Sequence, residues 1–174
     1  EDTMVALCSA PGRTEICGNH TDHQHGRVLA AAVNLDFLAC VALNGTSVVH
    51  FQSEGWPMTS VDLADLEVKE EEKETTASLI RGVLAKLHKA GYPVAGFDMY
   101  VTSTVLPGSG LSSSAACEVL IGTTGNHLFC QDKFDAVEIA KIGQAAENEY
   151  FGKPCGLMDQ TASSVGDAVA IDFK

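Results

Sequence analysis

The chain has 174 residues, of which 45% are hydrophobic and 20% are charged, so it is long enough to bury the core of one domain. Its formal net charge of −12 argues against nucleic acid or an anionic membrane surface as a general partner, because like charges repel. No apolar stretch reaches the about 18 residues of a membrane span, and the first residues lack a signal-peptide pattern. We therefore expect a cytoplasmic protein with no nucleic-acid and no membrane partner.

The six cysteines are scattered along the sequence and include no C-x-x-C pair. Several lie within apolar runs, where a thiol packs as a small hydrophobic group. We expect these thiols to be reduced, as is usual in a cytoplasmic compartment.

Apolar runs bounded by turn residues predict β-strands through the first half of the chain and at its end. In chain order, the predicted strands cover residues 4–9, 36–43, 47–51, 61–68, 96–104 and 168–173. Asn44-Gly45 joins the second and third runs, and this pair is typical of a β-hairpin turn. Pro11-Gly12 ends the first run, so we expect Arg13 to lie in a turn.

Apolar residues at helical spacing predict helices in the second half. In chain order, the predicted helices cover residues 75–90, 112–129, 133–151 and 158–164. We interpret the acidic run 67–74 as a solvated start of the first helix rather than as a binding tail, and Asp132 as the N-cap of the third. Strands and helices are mixed without strict βαβ alternation, which predicts an α+β domain with a mixed sheet packed against helices.

Residues 105–117, VLPGSGLSSSAAC, run from a glycine turn into the start of a helix. Unpaired backbone N–H groups at a helix N-terminus bind anions, and glycine lets a phosphate approach the backbone. Ser112, Ser113 and Ser114 suit helix capping, but three hydroxyls exceed what one cap needs and could also reach phosphate oxygens or magnesium. We predict a phosphate-binding turn, which lacks the lysine of the common P-loop.

Two charged residues are candidates for chemistry. Arg13 carries a guanidinium that can bind phosphate or a carboxylate at two points, although a surface arginine is the alternative. Asp159 follows a loop made rigid by Pro154 and could accept a proton from a substrate hydroxyl. Asp159 would equally serve as the N-cap of the short helix that follows, and the residues alone leave both interpretations open.

The segment 19–26, NHTDHQHG, is dense in hydrogen-bonding groups of the kind that sugars need. Its three histidines are a weak indication of zinc, because no cysteine or acidic ligand completes a known spacing. We predict a loop that binds hydroxyl groups, with an ordinary solvated loop as the alternative.

Three segments together resemble a known family. Residues 11–29, PGRTEICGNHTDHQHGRVL, look like the galactokinase signature, and the glycine–serine turn resembles the second motif of the wider GHMP family of small-molecule kinases. Residues 155–160, CGLMDQ, are similar to the galactokinase loop that carries a catalytic aspartate. The resemblance implies that residues 1–174 are the N-terminal domain of a GHMP kinase, ribosomal protein S5 domain 2-like in fold. The C-terminal kinase domain would be absent from this chain.

The resemblance also implies an activity, transfer of the γ-phosphoryl group of ATP to the C1 hydroxyl of galactose. Asp159 would be the base, while Arg13 would stabilise the phosphate and keep Asp159 ionised. The sugar would be bound by Asn19, His20, Asp22, Cys155 and Gly156. The nucleotide phosphates would be held by Pro107, Gly108, Ser109, Gly110, Leu111, Ser112, Ser113 and Ser114. Ser114 would also be the protein ligand to Mg²⁺.

The chain departs from the family at two places. Asn19 stands where the family has Glu, so a kinase for a related sugar such as N-acetylgalactosamine is an alternative. The aromatic residue that the family places against adenine is missing near Thr76 and Leu79. The third family motif would lie beyond Lys174, so we expect this chain alone to be nearly inactive. A non-catalytic sensor of galactose and ATP is the alternative from a different functional class.

Overall fold

The computed structural model describes residues 4–18 and 26–174. The strands in these residues are β1 (Ala6–Cys17), β2 (Arg27–Leu43), β3 (Val48–Ser53), β4 (Thr59–Asp62), β5 (Phe97–Ser103) and β6 (Ala168–Asp172). The helices are α1 (Thr76–Lys89), α2 (Ser113–Cys130), α3 (Ala136–Ala146) and α4 (Met158–Val165). In these ranges, no helix combines the length and the apolar character that crossing a membrane requires.

The six strands form one mixed sheet in the order β1-β2-β5-β3-β4, and β6 pairs with the first part of β2. β3 and β5 run parallel, while the other pairs are antiparallel. The helices pack against the sheet, and the apolar core lies between these two layers. The α+β prediction, with a mixed sheet packed against helices, is therefore confirmed. The predicted helices over 75–90, 112–129 and 158–164 are confirmed as well.

The predicted hairpin at Asn44-Gly45 is wrong, because β5 lies between β2 and β3. The Asn44 side chain donates to the Val48 carbonyl (2.9 Å) and to Asp98 (2.8 Å), so it closes a local turn and also holds β5. Gly96 immediately precedes β5, and a Cβ atom on Gly96 would lie 2.5 Å from the Val48 carbonyl oxygen. Asn44-Gly45 does form a turn, as its residues predict, but pairing between distant segments determined which strands are neighbours.

β1 is longer than predicted and continues through Pro11 and Gly12, so the expectation that Arg13 lies in a turn is wrong. The register with β2 shifts between Pro11 and Arg13, and this irregularity accommodates a proline that cannot donate a ladder hydrogen bond. A Cβ atom on Gly12 would lie 3.1 Å from the Leu111 carbonyl oxygen. Glycine at this position therefore lets β1 pass directly beneath the glycine–serine turn.

Other boundaries also differ from prediction, and the strand predicted over 36–43 already begins at Arg27. The strand predicted over 61–68 ends at Asp62, because the Asp62 carboxylate accepts the Ala64 amide (3.0 Å) and turns the chain. The helix predicted from Lys133 begins at Ala136, because Asp135 rather than Asp132 forms the N-cap, in a capping box with Glu138. This helix then passes into a π-helical turn, Glu147–Phe151.

The acidic run before α1 is only partly solvated, as residues 70–72 form a 3-10 turn against the domain. Glu72 makes a two-point ion pair with Arg81, with both N–O distances at 2.7 Å. Arg81 is almost fully buried. The run therefore anchors the start of α1 through one buried pair, which the prediction of a purely solvated segment did not include.

Candidate functional site

Arg13 and Asp159 are 146 residues apart in sequence and form a two-point ion pair. Arg13 Nε donates to Asp159 Oδ1 and Arg13 Nη2 donates to Oδ2, each at 2.7 Å. The remaining nitrogen, Nη1, donates to the Gly110 carbonyl at 2.8 Å. One side chain thus joins β1, the beginning of α4 and the glycine–serine turn, and this geometry is the convergence that the sequence motifs implied.

Asp159 lies in the first turn of α4, whose N-cap residue is Leu157. Its carboxylate accepts bonds from Arg13 and from the Ser112 hydroxyl, so its described contacts lead away from the helix rather than to a cap. The side chain of Asp159 is 28% exposed, whereas that of Arg13 is 9% exposed. The arginine is therefore a buried support, and the carboxylate keeps a face that a substrate can reach.

The glycine–serine turn leaves regular backbone geometry at three residues. Gly108, Gly110 and Ser112 have φ values of 76°, 78° and 58°, which are left-handed conformations. Ser112 occupies the N-cap position of α2, but its side chain makes no capping bond and donates to Asp159 instead. Residues 107–110 are exposed. The first amides of α2 have no carbonyl within the helix to pair with, so this exposed turn meets the requirements of an anion site.

Ser114 is the second residue of α2, and its hydroxyl donates to Glu147 Oε1 at 3.3 Å. Glu147 is nearly fully buried at the start of the π-helical turn, and its other oxygen accepts from Gln160 Nε2 at 2.9 Å. The sequence analysis missed Glu147. A signal was available, because Glu147 follows Ala146 and lies eight residues after Ile139, a spacing that places Glu147 and Ile139 on the same face of a helix.

A second buried acid, Glu118, lies behind this pair on α2. Gln160 donates its amide to Glu118 Oε2 and to Glu147 Oε2, each at 2.9 Å. Burial raises the pKa of the Glu118 carboxyl well above its usual range, and the charge of Glu147 raises it further. Within the described ranges, Glu118 Oε1 and Gln160 Oε1 have no hydrogen-bond partner. Glu118 was also missed by the sequence analysis.

Cys155 and Gly156 lie in the loop that leads into α4, a few residues before Asp159. The Cys155 amide donates to Asn148 at 2.7 Å, and its sulfur lies 3.6 Å from Gln160 Nε2. Burial raises the pKa of the Cys155 thiol, so the sulfur is protonated at neutral pH. All six cysteines fall in the described ranges, and all are free thiols.

The other three predicted sugar-binding residues, Asn19, His20 and Asp22, lie outside the described residues, as do the three histidines considered for zinc. In the part of the chain that the structure covers, no cluster of three or more His, Cys, Asp or Glu side chains could hold a metal ion. A metal ion bound by Ser114 and Glu147 would therefore need further ligands other than His, Cys, Asp or Glu side chains of the described residues.

A cavity of 790 Å³ adjoins the glycine–serine turn. Ser113 and Ser114 line it, as does the loop between β3 and β4. Thr76 and Leu79, where the resemblance led us to look for an aromatic residue, both line the cavity. The volume falls in the range of pockets that enclose small ligands.

Residues 78–167 match the family described as GHMP kinases N terminal domain, and residues 1–43 match the galactokinase galactose-binding signature. The first match contains the serines of the turn, Glu118, Glu147 and Asp159. The second contains Arg13 and the predicted sugar-binding loop.

The chain is 37% identical to a galactokinase of Clostridium tetani, over 90% of this chain and 40% of that protein. It is 33% identical to a galactokinase of Bacillus subtilis, again over 90% of this chain and 40% of the relative. The crystal structure of Lactococcus lactis galactokinase complexed with galactose superposes with a TM-score of 0.89 at 30% identity, over 97% of this chain and 45% of that one. The chain thus spans less than half the length of these relatives.

We predict that Glu118→Gln stabilises the protein more at high pH than at low pH. Because the pKa of Glu118 is raised on folding, the folded protein holds a proton that the unfolded chain releases above its ordinary pKa near 4.5. The free energy of unfolding of the wild type therefore falls by about 1.4 kcal/mol per pH unit between the ordinary and the raised pKa of Glu118. The glutamine variant has no such group to titrate and does not show this loss. Thermal unfolding at pH 5 and pH 8 measures this difference.

The matched control is Glu71→Gln, which removes an exposed carboxylate. Its difference in Tm from the wild type should be similar at both pH values. A Glu118→Gln effect that is independent of pH, or larger at pH 5, would contradict a raised pKa for Glu118 in the folded protein.

Proposed function

The chain belongs to the GHMP kinase family, and we propose that it is the N-terminal domain of a galactokinase-type sugar 1-kinase. In this proposal the full-length protein transfers the γ-phosphoryl group of ATP to the C1 hydroxyl of galactose. The observation that carries the proposal is the Arg13–Asp159 pair beside the glycine–serine turn. Phosphoryl transfer depends mainly on positioning and on neutralising charge, and this arrangement supplies a base, a cation and an anion cradle within one site.

Asp159 acts as the general base. Arg13 donates to both oxygens of the Asp159 carboxylate from one side. This two-point contact fixes the plane of the carboxylate and leaves its other side for the substrate. The proton of the C1 hydroxyl passes to Asp159 as the sugar oxygen forms its bond to the γ-phosphorus and the bond to the β-phosphate oxygen breaks. Arg13 also offsets the negative charge that accumulates between the carboxylate and the phosphate.

The nucleotide phosphates bind over residues 107–114. The left-handed residues Gly108, Gly110 and Ser112 turn the backbone so that amides at the start of α2 face outward. The positive end of the α2 dipole adds a favourable field for the phosphates. Since the chain has a net charge of −12, this local cradle and Arg13 must overcome the repulsion of the average surface.

Mg²⁺ fits the pair formed by Ser114 and Glu147. Both offer oxygen atoms, which are the ligands that this ion prefers, and Gln160 holds one Glu147 oxygen so that the other faces Ser114. Two protein ligands suffice, because Mg²⁺ usually keeps waters and substrate phosphates as its remaining ligands. When bound, the ion supplies charge neutralisation to the phosphates.

In this proposal the sugar is bound by Asn19, His20 and Asp22 and by the loop that carries Cys155 and Gly156. Support comes from the match of residues 1–43 to the galactokinase galactose-binding signature and from the position of Cys155 and Gly156 next to Asp159. A kinase for a related sugar, such as N-acetylgalactosamine, is the second candidate. It is favoured by Asn19, which is neutral and shorter than the acid that the signature resemblance leads us to expect.

We also propose that a C-terminal domain completes the enzyme, since the relatives are more than twice as long as the region matched here. Without that domain the 174-residue chain would be nearly inactive. The six free thiols favour a reducing compartment, so we propose a cytoplasmic location.

Asp159→Ala in the full-length protein should lower kcat for ATP-dependent phosphorylation of galactose by about 10²–10⁴-fold, the usual contribution of a general base. The matched control is Asp172→Ala, which removes an aspartate that also pairs with an arginine, Arg27, but at an exposed position. The control should retain wild-type kcat. Comparable rates in Asp159→Ala and wild type would remove the mechanism, and binding of both ligands without turnover in the wild type would favour a sensor.

Asn19→Glu tests the identity of the sugar. If galactose is bound suboptimally because a charge-assisted hydrogen bond is missing, the variant should raise kcat/KM for galactose, by about 10-fold for one such bond. The measurement compares wild type and variant on a panel of hexoses and amino sugars. A wild-type preference for an amino sugar, together with a loss of that activity in the variant, would replace galactose as the substrate.

A further inference from the structure

The cavity beside the glycine–serine turn is lined by chemically different groups. Ser113 and Ser114 contribute from the start of α2. Two carboxylates also line it, Glu74 before α1 and Glu54 on the loop between β3 and β4, and both would repel a phosphate. A nucleotide whose phosphates lie on the serines would therefore direct its base, and not its phosphates, towards that loop. Apolar lining comes from Phe37, Phe51, Val105 and Cys117.

Trp56 lies on the loop between β3 and β4 and lines this cavity. It is the single tryptophan in the sequence, and 62% of its surface is exposed. An indole that contributes little to the core leaves a large flat apolar face available for contact with a ligand. Thr76 and Leu79, which also line the cavity, have no ring to offer. The rings of Phe37 and Phe51 are buried and Phe151 is half-buried, so Trp56 is the most exposed aromatic ring of the lining and the candidate for an aromatic contact.

The backbone around Trp56 is held in place by its neighbours. The Gln52 side chain donates to the carbonyls of Ser53 (2.9 Å) and Trp56 (2.6 Å), and the Trp56 amide donates to the Ser53 carbonyl (3.0 Å). Gly55 takes a left-handed φ of 79° within this turn, and Pro57 follows it. The indole is therefore presented from a constrained turn, which reduces the entropy lost when a ligand binds against it.

We propose that Trp56 is the stacking platform for the nucleobase of the phosphoryl donor. The inference rests on the proposed function, since it takes the ligand of the cavity to be the nucleotide whose phosphates lie on the turn. Stacking on the indole face holds the base, while Glu54 and Glu74 offer acceptors to its N–H groups. Trp56 thus replaces the aromatic residue that is missing near Thr76 and Leu79.

The test measures binding of ADP, and separately of inorganic tripolyphosphate, to the full-length protein by calorimetry. Trp56→Ala should weaken ADP binding about 10-fold, the loss typical of one base–aromatic stack, and should leave tripolyphosphate binding unchanged. Trp56→Phe should retain most of the affinity, because it keeps a ring. The matched control is Met58→Ala on the same loop, which removes a side chain of similar exposure that lies away from this cavity.

A spectroscopic signature accompanies the affinities. ADP should change the tryptophan emission of the wild type, and the part of this change that comes from Trp56 should be lost in Trp56→Phe. If the wild type binds ADP but Trp56→Ala binds it equally well, the role of Trp56 is overturned while the proposed function stands. If the wild type binds neither ADP nor tripolyphosphate, the proposed function itself fails.

Discussion

The two-point ion pair between Arg13 and Asp159 is the contact on which the rest of the site depends. It connects β1, near the start of the sequence, to α4, near its end, and Arg13 also donates to the glycine–serine turn, which lies between them in sequence. Gly12 allows β1 to pass beneath the turn, and Ser112 adds a hydrogen bond to the same carboxylate. Because the arginine is buried and the aspartate is partly open, the pair fixes the carboxylate without closing it to substrate.

Behind the Arg13–Asp159 pair, the site contains more carboxyl side chains than a buried region usually holds. Glu118, Glu147 and Asp159 surround Gln160 and the start of α2, and Gln160 shares one amide between two of the acids. The raised pKa of Glu118 favours the uncharged form of that acid. Gln160 donates to one oxygen of Glu147, and the other oxygen of Glu147 accepts the Ser114 hydroxyl.

The resemblance of three motifs to one family implied which segments meet. The residues of each motif alone predicted only local features: glycines in the turn, serines at a helix start, an aspartate after a rigid loop. They did not reveal Glu118 or Trp56, since each is identified by what lies across the fold from it, and the helical spacing of Glu147 could indicate its burial but not its contact with Ser114. The Asn44-Gly45 turn shows the same limit, because a local signal cannot say that β5 will separate the strands on either side. Arg13 was wrongly assigned to a turn, because pairing with β2 extends β1 through Pro11 and Gly12.

A double-mutant cycle between Arg13 and Asp159 tests the central claim most directly. Phosphorylation kinetics of the full-length protein would be compared for Arg13→Ala, Asp159→Ala and the double variant. If the two side chains act as one unit, the double variant will be little worse than the poorer single variant, with a coupling energy of at least about 1 kcal/mol. Losses that simply add would mean that the arginine and the carboxylate act independently, which would contradict the account.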